Sequence, residues 1–204
     1  PNFVVIHHTA QNSCEQTLKT FTLERSKVSA HYVICKDGTI HHMLNDYMRA
    51  WHGGISKWGN NSDLNSSSIG IELDNNGFEP FDSAQINSLL LLLAQLKENY
   101  KIPNANFIGH ADIAPKRKVD PNIQFPWILL AQKGYGLWFE PDAKYTLPES
   151  ISIPFALAMV GYDIKDTTAA LLAFKRHFRA DSTAVVTEND RSVLFQLIQN
   201  KLSN

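Results

Sequence analysis

The 204-residue chain is 44% hydrophobic and 19% charged with a formal net charge of -1, the balance of an ordinary globular protein rather than a disordered one. Near-neutrality removes any general attraction to nucleic acid or to an anionic membrane surface, and no apolar run approaches the roughly eighteen residues that a spanning helix needs. The length exceeds that of an average domain, so one large unit, or a medium one followed by a small one, is expected.

NFVVIHH, residues 2–8, reads as a strand, and QNSCEQTLKTFTLERS reads as a helix with Ser13 as its N-cap and Leu18, Phe21 and Thr22 on one face. HYVICKDGTIHHML gives two β-rich runs around Asp37-Gly38, a strong hairpin signal. From residue 50 to 67 periodicity is lost: AWHGGISKWGNNSDLNSS is a Gly/Asn/Ser-rich loop that carries Trp51 and Trp58, each either a loop anchor or a stacking platform. SIGIELD is a further strand. DSAQINSLLLLLAQLKENY is the best helix signal in the chain, capped by Asp82 or Ser83 and apolar nearly all round, which predicts deep burial. NFIGH is a short strand, ADIAPKRKVDPNIQFPW a long polar loop with three prolines, and FPWILLAQKG a short helix ending at Gly134.

YGLWFEPDAKYTLPES lacks periodicity and holds the expected domain boundary. Beyond it three helices are predicted: Ile153 to Val160, Asp166 to Phe178 and Thr187 to Leu202. Asp166 and Thr187 serve as N-caps, and Ala170, Leu171, Phe174 and Phe178 share one face. A module of about 55 residues lies near the lower limit of independent stability. His177 on its middle helix reads as an ordinary surface residue. Cys14 and Cys35 are too few for a disulfide scaffold and lack metal-pair spacing, so they form one bridge or none, with no reactive role.

The apolar run VVI ends in His7 and His8. Three candidate ligands, His7, His110 and Asp120, stand at or just after the ends of predicted strands. Two neutral imidazoles and a carboxylate are a ligand set of catalytic zinc sites, which leave one position open to water. Glu72, a lone carboxylate in the strand IGIE, needs a partner or a task, and Lys118 sits two residues before Asp120.

Together, IHHTA, SAHYVICKDGTI, AWHGGISKWG, LNSSSIGIELDNNG and GHADIAPKRKVDPNIQFPW resemble the zinc-dependent N-acetylmuramoyl-L-alanine amidases over residues 2–138. The likeness is to their AmiD-like branch, related to the AmpD enzymes and the peptidoglycan recognition proteins. ALAMVGYD followed by AALLAFKRHFRAD resembles the three-helix peptidoglycan-binding module that often follows such domains, with Lys175 where that module commonly has Gln. The resemblance implies zinc held by His7, His110 and Asp120, Glu72 as general base, and Lys118 stabilising the oxyanion. His8 falls at a supporting or cleft position. His31, Trp51, His52 and Asn65 are the candidates for substrate contact, with His52 facing the groove. Some relatives carry a tyrosine where this chain has Ala30, and the Glu72 route fits better.

The expected architecture is α/β, a mixed central sheet flanked by helices in residues 1–138, followed by a small all-α three-helix domain in 148–204. The expected partners are peptidoglycan or muropeptide fragments, acted on by a monomer in the cell envelope on the periplasmic side. The chain opens at Pro1 rather than Met, as a trimmed or processed chain does, and an outer-membrane lipid anchor before Pro1 would suit that setting. A peptidoglycan-binding protein without turnover is the alternative, and Glu72 and Lys118 argue against it.

Overall fold

The computed structural model describes residues 1–142 and 145–203; Ala143 and Lys144, inside the stretch expected to hold the domain boundary, lie outside the described residues. In chain order the elements are β1 (Phe3–His8), α1 (Cys14–Thr22), β2 (Tyr32–Ile34), β3 (Ile40–His42), α2 (Leu64–Ser67), β4 (Ser68–Leu73) and α3 (Ser83–Tyr100). They continue with β5 (Phe107–Gly109), α4 (His110–Ile113), α5 (Trp127–Gln132), α6 (Ile153–Val160), α7 (Thr167–Arg179) and α8 (Glu188–Leu202). Among the described residues the strands form one five-stranded mixed sheet in the order β3-β2-β4-β1-β5. β1 runs parallel to β4 and β5, β2 runs parallel to β4, and β3 returns antiparallel on β2 through the Asp37-Gly38 turn.

Side chains alternate across a strand, so each strand feeds two layers. Val4 and Ile6 of β1, with Ile69, Ile71 and Leu73 of β4, pack under Leu89, Leu93 and Leu96 of α3. Only one face of α3 is buried: Leu91 is 73% exposed, so the helix is a one-sided cover and not the all-round core element that its composition predicts. Phe3 and Val5 of β1 and Ile108 of β5 point the other way and join a single cluster with Leu157 and Val160 of α6, Phe174 and Phe178 of α7, and Leu194 and Leu197 of α8. The three C-terminal helices thus cover the second face of the sheet and share its core.

Local signals in the sequence find their partners. Ser13 accepts from the Gln16 N–H, Asp166 from Ala169, and Thr187 forms a capping box with Asp190. Asp82 occupies the N-cap of α3 without a side-chain bond. Cys14 and Cys35 are disulfide-bonded, tying the start of α1 to the end of β2. Lys175 is buried against Asp181 at 2.6 Å and Asp190 at 3.5 Å, and it donates to the Val185 carbonyl at 2.7 Å. A buried ammonium so fully partnered holds the α7–α8 connection in place.

His177 is not a surface residue. Its ring is 6% exposed, stacks on Trp127 with centroids 3.8 Å apart, and has Nδ1 2.7 Å from Asp112 Oδ2 on α4. Asp112 also accepts from Tyr162 Oη at 2.9 Å and from the Gly109 N–H at 2.7 Å, so α4 is pinned to the C-terminal helices. Helical periodicity on α7 gave no hint of this polar contact.

Phe174 is fully buried in the shared cluster. Phe174→Ala is expected to cost about 3–5 kcal/mol, and sheet and C-terminal helices should unfold in one transition in urea, followed by circular dichroism and tryptophan fluorescence. A helical segment that melts separately while the sheet persists would contradict the shared core.

Candidate functional site

Parallel pairing sets the site. β1 and β4 align His7 with Glu72, and β1 and β5 align Ile6 with Gly109, so His110 follows directly beside His7. All three lie at the carboxyl ends of parallel strands, where open α/β sheets bind ligands. β5 then turns at once into α4, so His110 opens a short helix instead of the loop that the sequence suggests. The long loop returns through Asp120, whose carbonyl accepts from the Ala111 N–H at 2.7 Å.

His7 Nδ1, His110 Nδ1 and Asp120 Oδ2 form a triangle with sides of 2.9, 3.1 and 2.9 Å. All three residues are buried. His110 Nε2 lies 3.2 Å from the Gly53 carbonyl; a carbonyl only accepts, so this nitrogen carries the proton and Nδ1 of the neutral ring is bare. A bare nitrogen, a carboxylate oxygen and a second imidazole nitrogen at such distances are mutually repulsive unless a cation or a proton joins them. The donor set of two imidazoles and one carboxylate fits zinc.

Burial, then the nearby His110, pushes the His7 imidazole down to about 4. Burial opposes the charge on Asp120, but the two imidazoles beside it more than compensate and hold its carboxyl below the usual range. Glu72 goes the opposite way: burial first, and then the Asp120 charge, push it up to about 8, with Lys118 countering. Its Oε1 stands 4.0 Å from His7 Nδ1, while Oε2 is buried without a hydrogen-bond partner. Such an orphaned acceptor beside the triangle suits a group waiting for a proton. Among the described residues Cys14, Cys35 and His41 also come together, but those cysteines are bridged.

A cleft of about 390 Å³ opens over the triangle, walled by His8, Trp51, His52, Glu72, Lys118 and Val119. Past Phe21, Val28 and Trp51 it continues into an apolar groove of about 580 Å³. Trp51 is 55% exposed at this junction, whereas Trp58 is buried against Gly161 and Tyr162 and serves as an anchor. His8, on the opposite strand face from His7, borders the cleft, and burial lowers its pKa.

Two of the remaining candidates, His31 and Asn65, lie away from the cleft. His31 is fully buried behind the site: its Nδ1 accepts from the Gly70 N–H at 3.0 Å and its Nε2 faces the Met48 carbonyl at 3.0 Å. Asn65 is buried too, its Oδ1 accepting from the N–H groups of His52 and Gly53 at 3.0 and 2.7 Å. Neither lines the cleft. His52 does line the cleft, but both of its ring nitrogens are engaged elsewhere, Nδ1 meeting His7 Nε2 at 3.0 Å and Nε2 meeting Ser68 Oγ at 3.2 Å. Arg117, in the polar loop that precedes Asp120, donates to the carbonyls of Gly53 and Ile55. Ser68, Gly53 and Arg117 escaped the sequence reading because their contacts run through backbone atoms or across strands, where spacing leaves no signature.

Comparison with known proteins bears on this arrangement. A family model described as N-acetylmuramoyl-L-alanine amidase matches residues 1–123. The chain is 36% identical over 209 aligned positions to "N-acetylmuramoyl-L-alanine amidase AmiD" of Escherichia coli (strain K12), covering 86% of this chain and 74% of that protein. It is 41% identical over 102 positions to "1,6-anhydro-N-acetylmuramyl-L-alanine amidase AmpD" of Haemophilus influenzae, covering 50% of this chain and 55% of that one. Among solved structures, the E. coli AmiD complex with anhydro-N-acetylmuramic acid-L-Ala-D-gamma-Glu-L-Lys superposes with a TM-score of 0.88 at 32% identity, covering 98% of this chain and 89% of that chain. AMPDH3 from Pseudomonas aeruginosa in complex with anhydromuramic pentapeptide gives 0.89 at 28% identity, covering 98% and 92%.

In metal-free protein the raised Glu72 carboxyl has a signed effect on stability. Between its ordinary value of 4.5 and about 8, the folded state keeps a proton that the unfolded chain releases, so this contribution is present at low pH and lost as pH rises through 8. The depressed His7 acts in the opposite sense between about 4 and 6.5, and equally so in a Glu72 variant. Urea unfolding in chelator should therefore show the stability of Glu72→Gln rising relative to the wild type from about pH 5 to pH 8. Parallel pH profiles would refute the raised value.

Proposed function

The chain belongs to the N-acetylmuramoyl-L-alanine amidase family, and on that footing we propose that its cleft hydrolyses the amide between the lactyl group of N-acetylmuramic acid and the L-alanine of the stem peptide with the aid of zinc. The observation that carries this reading is the buried triangle of His7, His110 and Asp120 with Glu72 beside it, one of its carboxyl oxygens unpartnered. His7, His110 and Asp120 would hold the ion. Zinc, when bound, supplies Lewis acidity that makes water a better nucleophile and polarises the scissile carbonyl.

The protein's own groups complete the reaction. With a pKa near 8 in the metal-free site, Glu72 is basic enough to take a proton from the attacking water and acidic enough to return it to the departing amine. A C–O bond forms, the C–N bond breaks, and the products are the lactyl carboxylic acid and a stem peptide with a free L-alanine amino terminus. Lys118, half-buried in the cleft wall, sets its ammonium against the oxyanion of the tetrahedral intermediate. Exposed Trp51 offers an aromatic face to a sugar ring or peptide where cleft and groove meet.

The wider setting belongs to the same proposal: a monomer working in the periplasmic cell envelope on peptidoglycan or its fragments, with residues 1–138 as the catalytic unit and 148–204 helping to hold it on the polymer. Likeness of the C-terminal helices to peptidoglycan-binding modules supports that last role. Among the described residues no helix is long and apolar enough to cross a membrane.

Mass spectrometry of peptidoglycan fragments incubated with zinc-loaded protein should show free stem peptide with an intact L-Ala amino terminus and peptide-free muramic acid. Chelator should abolish both products. Glu72→Ala should lower kcat about 10²- to 10⁴-fold, and Lys118→Ala about 10²- to 10³-fold, with zinc content unchanged. Intact fragments at full zinc occupancy, together with measurable binding, would make the protein a peptidoglycan receptor instead.

A further inference from the structure

One short segment touches the rear nitrogen of both histidines in the triangle. His7 Nε2 lies 3.0 Å from His52 Nδ1, and His110 Nε2 lies 3.2 Å from the carbonyl of the next residue, Gly53. The segment is itself pinned: Asn65 Oδ1 accepts both the His52 and the Gly53 N–H, and Arg117 donates to the Gly53 carbonyl at 3.1 Å. Space for the His52 ring is built into the sheet, because a Cβ at Gly70 would stand 2.5 Å from its Cγ. A Cβ at Gly53 would press on Asn65 Oδ1 and Ser56 Oγ, both at 3.3 Å.

The direction of the hydrogen bonds follows from the far end of the chain. Ser68 Oγ meets both the Leu64 carbonyl and His52 Nε2. The carbonyl can only accept, so the single hydroxyl proton goes there, and Ser68 must accept from His52 Nε2–H. His52 Nδ1 is then a bare acceptor. It takes the proton on His7 Nε2, which leaves His7 Nδ1 unprotonated and aimed into the triangle. On the other branch the Gly53 carbonyl fixes His110 in the same tautomer. Both branches start from groups whose polarity cannot reverse.

We propose that His52 and Gly53, pinned by Asn65 and anchored through Ser68, form an orienting segment that sets the tautomer of both histidine ligands, so that these two residues of the AWHGG loop serve the metal site. This rests on the zinc reading of the triangle. His52 and Ser68 act through His7 and are positioning residues. Partners that fix the tautomer of a metal-binding histidine are typically worth about 10- to 100-fold in metal affinity.

The test uses zinc-loaded protein labelled with ¹⁵N-histidine, with long-range ¹H–¹⁵N correlation to read each ring and chelator competition to read zinc affinity. His52 should carry its proton on Nε2 with Nδ1 bare. His52→Leu should bind zinc at least about tenfold more weakly. His52→Asn, whose amide oxygen can accept where Nδ1 does, should recover most of that loss although it also lacks the ring. Ser68→Ala removes one buried oxygen, tests the anchor even if the His52 variants fold poorly, and should weaken zinc several-fold. A proton found on His52 Nδ1, or unchanged affinity in Ser68→Ala and His52→Leu, overturns the proposal. Equal losses in Leu and Asn also overturn it, since packing alone would explain them. Failure of the wild type to take up zinc would instead sink the reading of the triangle itself, and this inference with it.

Discussion

Everything in this protein depends on the parallel register of three neighbouring strands. β4, β1 and β5 end together, and their pairing places Glu72, His7 and His110 side by side over one edge of the sheet. A slip of one residue in β1 would turn His7 into the α3 layer and bring His8 to the triangle, because successive side chains face opposite ways. Burial of Val4 and Ile6 on one face and Phe3 and Val5 on the other forbids that slip. The hydrophobic pattern of these four residues thereby fixes the position of chemistry contributed by residues more than a hundred positions apart.

Charge is managed in layers outward from that edge. Three electron-rich atoms meet at the centre, the rear nitrogens of both rings are committed to fixed acceptors, and Glu72 stands at the side with one oxygen unpartnered. The low local dielectric makes each of these contacts stronger and each omission costlier. Burial alone would neutralise Asp120 and Glu72 alike; neighbouring imidazoles hold the first ionised, while the second, next to a carboxylate, is pushed up. Two acids at one site are thus given opposite protonation behaviour by what surrounds them.

The strands, the hairpin, the helix caps and the meeting of His7, His110 and Asp120 were legible in the sequence, because each is written in local periodicity or in a strand-end residue. Glu72 was legible as a carboxylate stranded in an apolar run. Long-range polar contacts were not. His31 and Asn65 looked like substrate residues, yet both are buried away from the cleft and their polar atoms go to backbone groups, while His52, at the cleft wall, commits its Nδ1 to His7. His177 looked solvated because nothing on its own helix reveals Asp112 across the interface. The all-round apolar character of α3 overstated its burial, since one exposed leucine costs little on a surface.

The Asp112 junction has a consequence for how such chains can be recombined. The helix that begins with His110 is fastened at Asp112 to His177 and Tyr162, and the sheet face behind it is roofed by Phe174 and Leu157. A C-terminal unit held this way is not interchangeable cargo. Any chimera that grafts a foreign module in its place must bring donors for a buried aspartate and a lid for one side of the sheet, so gene fusion here is constrained by carpentry at the joint as much as by the new module's own binding preference.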